Sequence, residues 1–247
     1  MSARSRRRTK PSMAARVRTF WVLGALVVFA GAYGLWVFAR SPFFSARSIQ
    51  VQASRHVTRA DILARAAIPA GANVWMLNVR EVERKIEKLP YVLKASVKRS
   101  PPASLTIAVI ERTPDGCVRG SAGDVVVDAA DRVLTTECSP ELVVYLRDVA
   151  DPSPGRFLND PTLKRLQHDA HALAAAGERL TNFREDGYGQ LEASLADGIR
   201  IEFGDDRDLD RKSRLIGPVL ATQAGRIESV AAIDLRSPAA PVVIHKH

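Results

Sequence analysis

The residues of this 247-residue chain whose chemistry invites a site are few. There are two cysteines, five histidines and one run of spaced acids. Asp206, Asp208 and Asp210 mimic the opening of an EF-hand loop, but Arg211 stands where that loop needs glycine and Gly217 where it needs a bidentate glutamate. The run reads instead as the charged start of a helix. His168 and His171 lie three apart on an amphipathic segment, with His168 off its apolar stripe. Zinc would need further ligands that the surroundings do not supply, so both read as solvated side chains. His245 and His247 fall in a C-terminal tail expected to be mobile. No Gly-x-Ser-x-Gly elbow, His-Glu-x-x-His pair or phosphate-binding loop is present. The reading is therefore of a protein without catalytic, metal or cofactor residues, and the question becomes what the chain binds.

Cys117 and Cys138 depend on compartment. In an oxidising space they can form a disulfide closing a loop of about 22 residues, worth ~3 kcal/mol in the chain-entropy view. Two buried thiols are the other state the sequence permits. The compartment follows from residues 20–39, FWVLGALVVFAGAYGLWVFA, twenty residues without a charge. As a helix they span roughly 30 Å, the thickness of a bilayer's hydrocarbon core. Phe20, Trp21, Trp36 and Phe38 sit near the two ends, where an interface favours aromatics. Ahead of the span, residues 1–19 carry Arg4, Arg6, Arg7, Arg8, Lys10, Arg16 and Arg18 and no acid. The positive-inside rule keeps that tail in the cytoplasm and exports the rest. The apolar run is longer than a signal-peptide core and is followed directly by Arg40, so it reads as an uncleaved anchor. Net charge is +9; removing the seven tail residues from 36 basic side chains leaves 29 against 27 acids, or +2. The basicity belongs to the tail and points to anionic lipid, with no nucleic-acid-binding face.

Past the membrane, residues 47–53 alternate as a half-buried strand, with Ile49 and Val51 on one face. Thr58 and Asp61 form a capping-box start to a helix, and Pro69 to Gly71 break it. Asn78 starts a second helix with Val79, Val82, Ile86 and Leu89 on one stripe; Pro90 stops it. Two alternating strands follow at 91–99 and 104–112 around a Pro-Pro turn. The order strand, helix, helix, strand, strand is an α+β unit with both helices on one face. Beyond residue 112 the reading gives strands at 124–128, 132–135, 142–146, 180–184, 190–195, 199–203, 229–235 and 241–244. A helix capped by Asp160 and begun by Pro161 lies among them, as does a second helix at 207–224 that Pro218 should kink or shorten.

Three short runs carry a resemblance. Leu89-Pro90-Tyr91-Val92, Arg99-Ser100-Pro101-Pro102 and Glu111-Arg112-Thr113-Pro114, in that order behind a membrane anchor, resemble the POTRA domain of the FtsQ/DivIB bacterial cell-division proteins. Residues 192–204, a strand, Asp197-Gly198 and a strand ending in Gly204, resemble a unit of that family's β-domain. Ile233-Asp234-Leu235-Arg236 resembles its near-terminal signature, although Ser237 and Pro238 stand where the family has an aromatic. The resemblance spans about residues 17–245 and implies four parts. These are a basic cytoplasmic tail (1–19), a transmembrane helix (20–39), a POTRA domain (43–112) and a mixed β-sheet domain with two helices (113–247).

The resemblance also implies a non-catalytic divisome assembly protein of the bacterial inner membrane, single-pass and type II. Such a protein recruits an FtsB/FtsL-type pair at the division site and helps control septal peptidoglycan synthesis by FtsW/FtsI-type machinery. Its membrane-lipid contact runs through residues 20–39, and no small-molecule substrate or cofactor is expected. The partner surface expected is the terminal strand as an open sheet edge. Val242 and Ile244, or Val243 in the other register, would give side-chain contacts; Arg236, Ser237 and Ala239 lie just before it. A POTRA-containing translocation module of the envelope and a membrane-anchored envelope enzyme are the competing classes. The first needs repeated POTRA units and the second a catalytic constellation.

Overall fold

A computed structural model describes residues 13–246 apart from 53, 176 and 178, with 13–19 described in backbone only. The basic side chains of the tail and His247 lie outside the described residues. Helix α1, Met13–Ala39, contains the apolar run Phe20–Ala39, with a mean hydropathy of 2.1 and no residue of it buried within the chain. A helix apolar on every side and uncovered by protein is what a lipid environment calls for. A short 3-10 turn, Pro42–Phe44, capped by Ser41, leads out of it.

The first domain is β1 (Ser48–Val51), α2 (Arg59–Ala66), α3 (Val79–Ile86), β2 (Val92–Ser100) and β3 (Ser104–Glu111). Its sheet runs β1-β3-β2, with β1 parallel and β2 antiparallel to the central β3. Ile62, Ala66, Val82 and Ile86 bring the apolar stripes of both helices onto Val92, Ala95, Val97, Leu105 and Ile107. Thr58 and Asp61 form the full reciprocal capping box, and Asn78 accepts from the Glu81 amide.

The second domain contains β4 (Pro114–Gly120), β5 (Gly123–Asp128), β6 (Val133–Thr135), β7 (Val143–Leu146), α4 (Pro161–Ala175), β8 (Leu180–Glu185), β9 (Leu191–Leu195), β10 (Arg200–Gly204), α5 (Leu209–Ser213), α6 (Ile216–Thr222), β11 (Val230–Asp234) and β12 (Val242–His245). They form one mixed sheet ordered β12-β11-β10-β9-β8-β7-β4-β5-β6. Leu163, Leu166 and Leu173 of α4 and Ile216 of α6 share a core with Tyr145, Phe183, Ile201, Phe203 and Ile233. Asp160 caps α4 through the Thr162 and Leu163 amides. Cys117 and Cys138 are joined as a disulfide, Cα atoms 5.7 Å apart.

Two sequence expectations change here. β4 was not anticipated at all. The expected helix over 207–224 is two helices, so among the described residues this domain carries three α-helices. Pro218 has no N–H to offer the Arg214 carbonyl, and its ring would strike that carbonyl in a continuous helix. The chain accordingly breaks at Arg214–Leu215, between α5 and α6, and Pro218 falls in the first turn of α6 where its missing donor costs nothing.

The motif Glu111-Arg112 splits between the two domains. Glu111 turns back: its carboxylate accepts from the Ser54 hydroxyl, from the amides of His56 (2.8 Å) and Val57 (3.2 Å), and meets His56 Nδ1 at 2.9 Å. The His56 ring stacks on Tyr91. Arg112 turns forward: its Nε donates to the Val92 carbonyl at 3.2 Å and its Nη1 pairs with the buried carboxylate of Asp128 in the second domain. From the turn after Asp128, Arg132 reaches back to the carbonyls of Glu87 (3.1 Å), Lys88 (3.2 Å) and Leu89 (3.2 Å) at the end of α3. Both guanidinium groups lie over the ring of Phe157, 5.6 and 5.3 Å from its centroid.

Two predictions come from this arrangement. The Glu111 carboxylate resists protonation: burial alone would raise its pKa, but the Ser54, His56 and Val57 donors together bring it from 4.5 to about 2. A depressed folded-state pKa means stability that is present above pH ~4.5 and lost as pH falls toward 2, about 1–2 kcal/mol once solvent screening is counted. Acid titration of the Glu111→Gln chain should lack that part of the loss. Arg132→Ala removes the Nη2 donor shared by the Glu87, Lys88 and Leu89 carbonyls that follow α3 and leaves Arg112 alone over Phe157. It should cost about 2–3 kcal/mol in denaturant unfolding. It should also broaden the distance distribution between spin labels at Lys94 and Tyr188, one on each domain.

Candidate partner-binding edge

A sheet edge can accept a foreign strand only where its N–H and C=O groups are free. In the first domain the outer edge of β2 is occupied by its own helix: the Ala95 amide donates to Glu87 Oε1 at 3.1 Å and the Val97 amide to Glu83 Oε1 at 2.8 Å. On β1, the Ile49 carbonyl is taken by Arg59 Nη2 at 3.1 Å. At one end of the large sheet, β6 is closed by the segment 155–157: the Gly155 amide donates to the Val133 carbonyl and the Val133 amide to the Arg156 carbonyl, both at 2.8 Å. The other end is β12. It pairs antiparallel with β11, Asp234 facing Val242 and Ile233 facing Val243, and among the described residues no strand lies on its outer side.

The anticipated residues divide into two groups. Val242 and Ile244 project from β12 into solvent, 53% and 39% exposed, while Val243 packs on the core beside β11. The register thus makes Val242 and Ile244 the available side chains and Val243 the anchor. Arg236, Ser237 and Ala239 lie exposed in the turn joining β11 to β12, which is closed by an Ala240 amide to Ser237 carbonyl bond at 3.1 Å. Arg236 is not free: its Nε donates to Asp234 Oδ1 and Oδ2 at 3.0 and 2.9 Å, and Glu202 lies 3.8 Å from Nη2. The guanidinium holds the Asp234 carboxyl below the usual carboxylate range. Arg236 can cross there because Gly204, at φ +75°, ends β10 without a side chain; a Cβ would sit 2.9 Å from Arg236 Cγ.

His245 is a correction. It belongs to β12, opposite Val230, with Nδ1 3.1 Å from the Ser229 hydroxyl, because the backbone register of β11 continues past Ile244. Lys246 extends this, its amide on the Ser229 carbonyl at 2.7 Å.

His168 is exposed, as its helical angle requires. His171, also exposed, places Nε2 2.8 Å from Asp115 Oδ1, while Asp115 Oδ2 accepts from Tyr145 (3.2 Å) and Gln167 (2.9 Å). Burial, reinforced by Asp115, pushes the Tyr145 hydroxyl far above its ordinary pKa. Tyr145 is almost wholly buried, so the cluster fastens α4 to β4 and β7 rather than presenting a reactive group. Cys117 and Cys138, whose sulfurs lie near an Asp124 carboxylate oxygen, are spent on each other as a disulfide. The edge-closing glutamates escaped the sequence reading. Their signal was a pair four apart on a helix that directly precedes a strand.

Residues 44–112 match the family model described as "POTRA domain, FtsQ-type". A protein of Streptomyces collinus named cell division protein FtsQ is 28% identical over 235 residues, which cover 92% of this chain and 88% of that one. Residues 44–112 are thus an FtsQ-type POTRA domain, and most of the chain is similar to cell division proteins named FtsQ. A second cell division protein FtsQ, of Mycobacteroides abscessus, is 26% identical over 79% of this chain and 61% of its own length. A third, of Syntrophotalea carbinolica, is 39% identical over 97 residues, 39% of this chain and 34% of that protein. The chain is thus an α+β protein with an FtsQ-type POTRA domain and one N-terminal apolar helix long enough to span a membrane. Its most open sheet edge is the last strand. Val243→Asp puts a charge against the core and should cost about 1–3 kcal/mol in thermal or denaturant unfolding; Val242→Asp, one residue away, should stay within about 0.5 kcal/mol.

Proposed function

We propose that this chain is a non-catalytic scaffold of the divisome, anchored with its N-terminus in the cytoplasm and both folded domains outside. Its role is to recruit an FtsB/FtsL-type pair at the division site and so help control septal peptidoglycan synthesis by FtsW/FtsI-type enzymes. The observation that carries the reading is the open side of β12 beside two edges, β2 and β6, whose backbone groups are engaged by the chain itself and a third, β1, with one carbonyl engaged. A partner segment would extend the sheet along 242–245, with Val242 and Ile244 contacting its side chains. Arg236 would act through Asp234: the half-exposed guanidinium on its mostly covered carboxylate offers a polar end to the edge without an unpaired charge. The seven basic side chains ahead of the anchor support the orientation.

The test is association of the full chain with membrane-anchored FtsB/FtsL-type partners reconstituted in the same liposomes. The Val242→Lys, Ile244→Lys double variant, altered only on exposed positions, should keep the melting temperature and lose binding by about tenfold or more. A chain ending at Leu235 should lose it entirely. Undiminished capture by both, with the fold intact, would remove β12 from the interface.

A further inference from the structure

The junction between the membrane helix and the first domain carries an apolar surface that neither domain covers. Asn73 builds it. Its side-chain Oδ1 accepts the amides of Trp75 (2.9 Å) and Met76 (3.3 Å), turning the loop between α2 and α3, while its Nδ2 donates to the carbonyl of Ala39, the last residue of α1, at 2.7 Å. The backbone is sewn to the helix exit as well: the Val74 amide donates to the Phe44 carbonyl at 2.9 Å and the Ala46 amide to the Ala72 carbonyl at 2.8 Å. From the body of the domain, Arg99 donates to the Val74 and Leu77 carbonyls, each at 2.8 Å. Val74 is buried, so the turn rests on the core and cannot fold its next two side chains inward.

What this scaffold presents is Trp75, 53% exposed, and Met76, 51% exposed, beside Phe43, also 53% exposed. The aromatics run on from the end of the helix. Phe38 and Phe44 meet edge to face at 5.3 Å, Phe44 and Phe43 at 5.2 Å, and Phe44 and Trp75 at 6.5 Å. The Arg40 guanidinium lies 3.9 Å over the Trp36 ring. Trp and Phe gathered at the end of an apolar span, with arginine among them, have the composition of a membrane–water interface.

We propose that Trp75, Met76 and Phe43 form a lipid-binding surface that inserts into the outer interface of the same bilayer that α1 crosses. The first domain is then a second, monotopic membrane contact rather than a body hung from a tether. The occupant is lipid because the patch is continuous with the helix end and bonded to it at Ala39 and Phe44. The inference rests on α1 being transmembrane and is independent of what β12 binds.

The test is a single-tryptophan series of the full chain in nanodiscs of phosphatidylethanolamine and phosphatidylglycerol. Trp21→Phe with Trp36→Phe leaves Trp75 as the probe; Trp21→Phe with Trp75→Phe leaves Trp36. A chain lacking all three and carrying Tyr188→Trp gives a solvent control at a side chain 92% exposed. The Trp75 emission is expected to be blue-shifted from that control. It should lose intensity in lipids brominated near the headgroup and lose less in lipids brominated near the chain ends. Trp75 emission matching the control, while Trp36 is quenched, would overturn the inference and leave the membrane helix standing. Absence of quenching in both would overturn the membrane reading and the inference with it.

Discussion

The rest of the structure depends on how the end of α3 is satisfied. The last carbonyls of a helix need donors. In α3 Glu83, Lys85 and Ile86 take the amides of Glu87, Lys88 and Leu89, and the three carbonyls that follow the helix take a donor from the other domain. Arg132 places one Nη2 among the carbonyls of Glu87, Lys88 and Leu89. It can do so because Asp128 fixes its backbone, Oδ1 accepting the amides of Ala130 and Arg132 at 2.9 and 2.8 Å, while Oδ2 holds Arg112. One aspartate therefore organises two arginines that run in opposite directions across the junction. A lysine in either place would supply a point charge, not a planar fork able to donate and also lie on Phe157. With Asn73 tying the first domain to Ala39, hydrogen bonds join the membrane helix to the large sheet through two short joints. On the proposed reading those joints, not a flexible linker, set the position of β12 relative to the membrane.

The treatment of edges follows a single logic. Every strand at the side of a sheet is a template for another chain, and proteins usually blunt such strands. Glu83 and Glu87 blunt β2, Arg59 blunts β1, and the 155–157 segment blunts β6. β12 has no such cover on its outer side among the described residues, and its two outward side chains are valine and isoleucine. An aggregation-prone edge left open where two others are closed and a third is partly engaged has a cost, and use by a partner is a physical reason to keep it.

The fold was legible where local chemistry decides it. Thr58 with Asp61, Asn78, Asp160 before Pro161 and Asp197-Gly198 all mark element ends through hydrogen bonds to near neighbours, and each did so in the structure. β4 was not legible, because Pro114, Asp115, Gly116 and Gly120 read as a loop. Those glycines answer to tertiary neighbours: a Cβ on Gly116 would lie 2.3 Å from the Tyr145 ring, and one on Gly120 would lie 2.5 Å from the Arg147 carbonyl. The parallel pairing of β4 with β7 demands that closeness. The edge itself was legible from its alternating apolar end, but not its facing, which depends on Ile233 of the buried β11 lying opposite Val243. Nor could the sequence assign Arg236 to Asp234 or Arg132 to α3, since a charge advertises a bond without naming its partner.

The size of the edge bears on how it would work. A four-residue strand adds only a few backbone hydrogen bonds, each worth roughly 1 kcal/mol net. With two small apolar side chains the gain in free solution is of the order of 4–6 kcal/mol, a dissociation constant near the millimolar range. Such an interaction is negligible between dilute soluble proteins. It becomes effective when both partners are confined to one membrane, where the local concentration itself reaches about the millimolar scale. Confinement helps only if the edge is held at a height and angle the partner can reach. The Asn73 and Arg132 joints supply that orientation, so on the proposed reading a weak edge on a rigid mount gives capture that forms readily at the septum and dissolves when the machinery disperses.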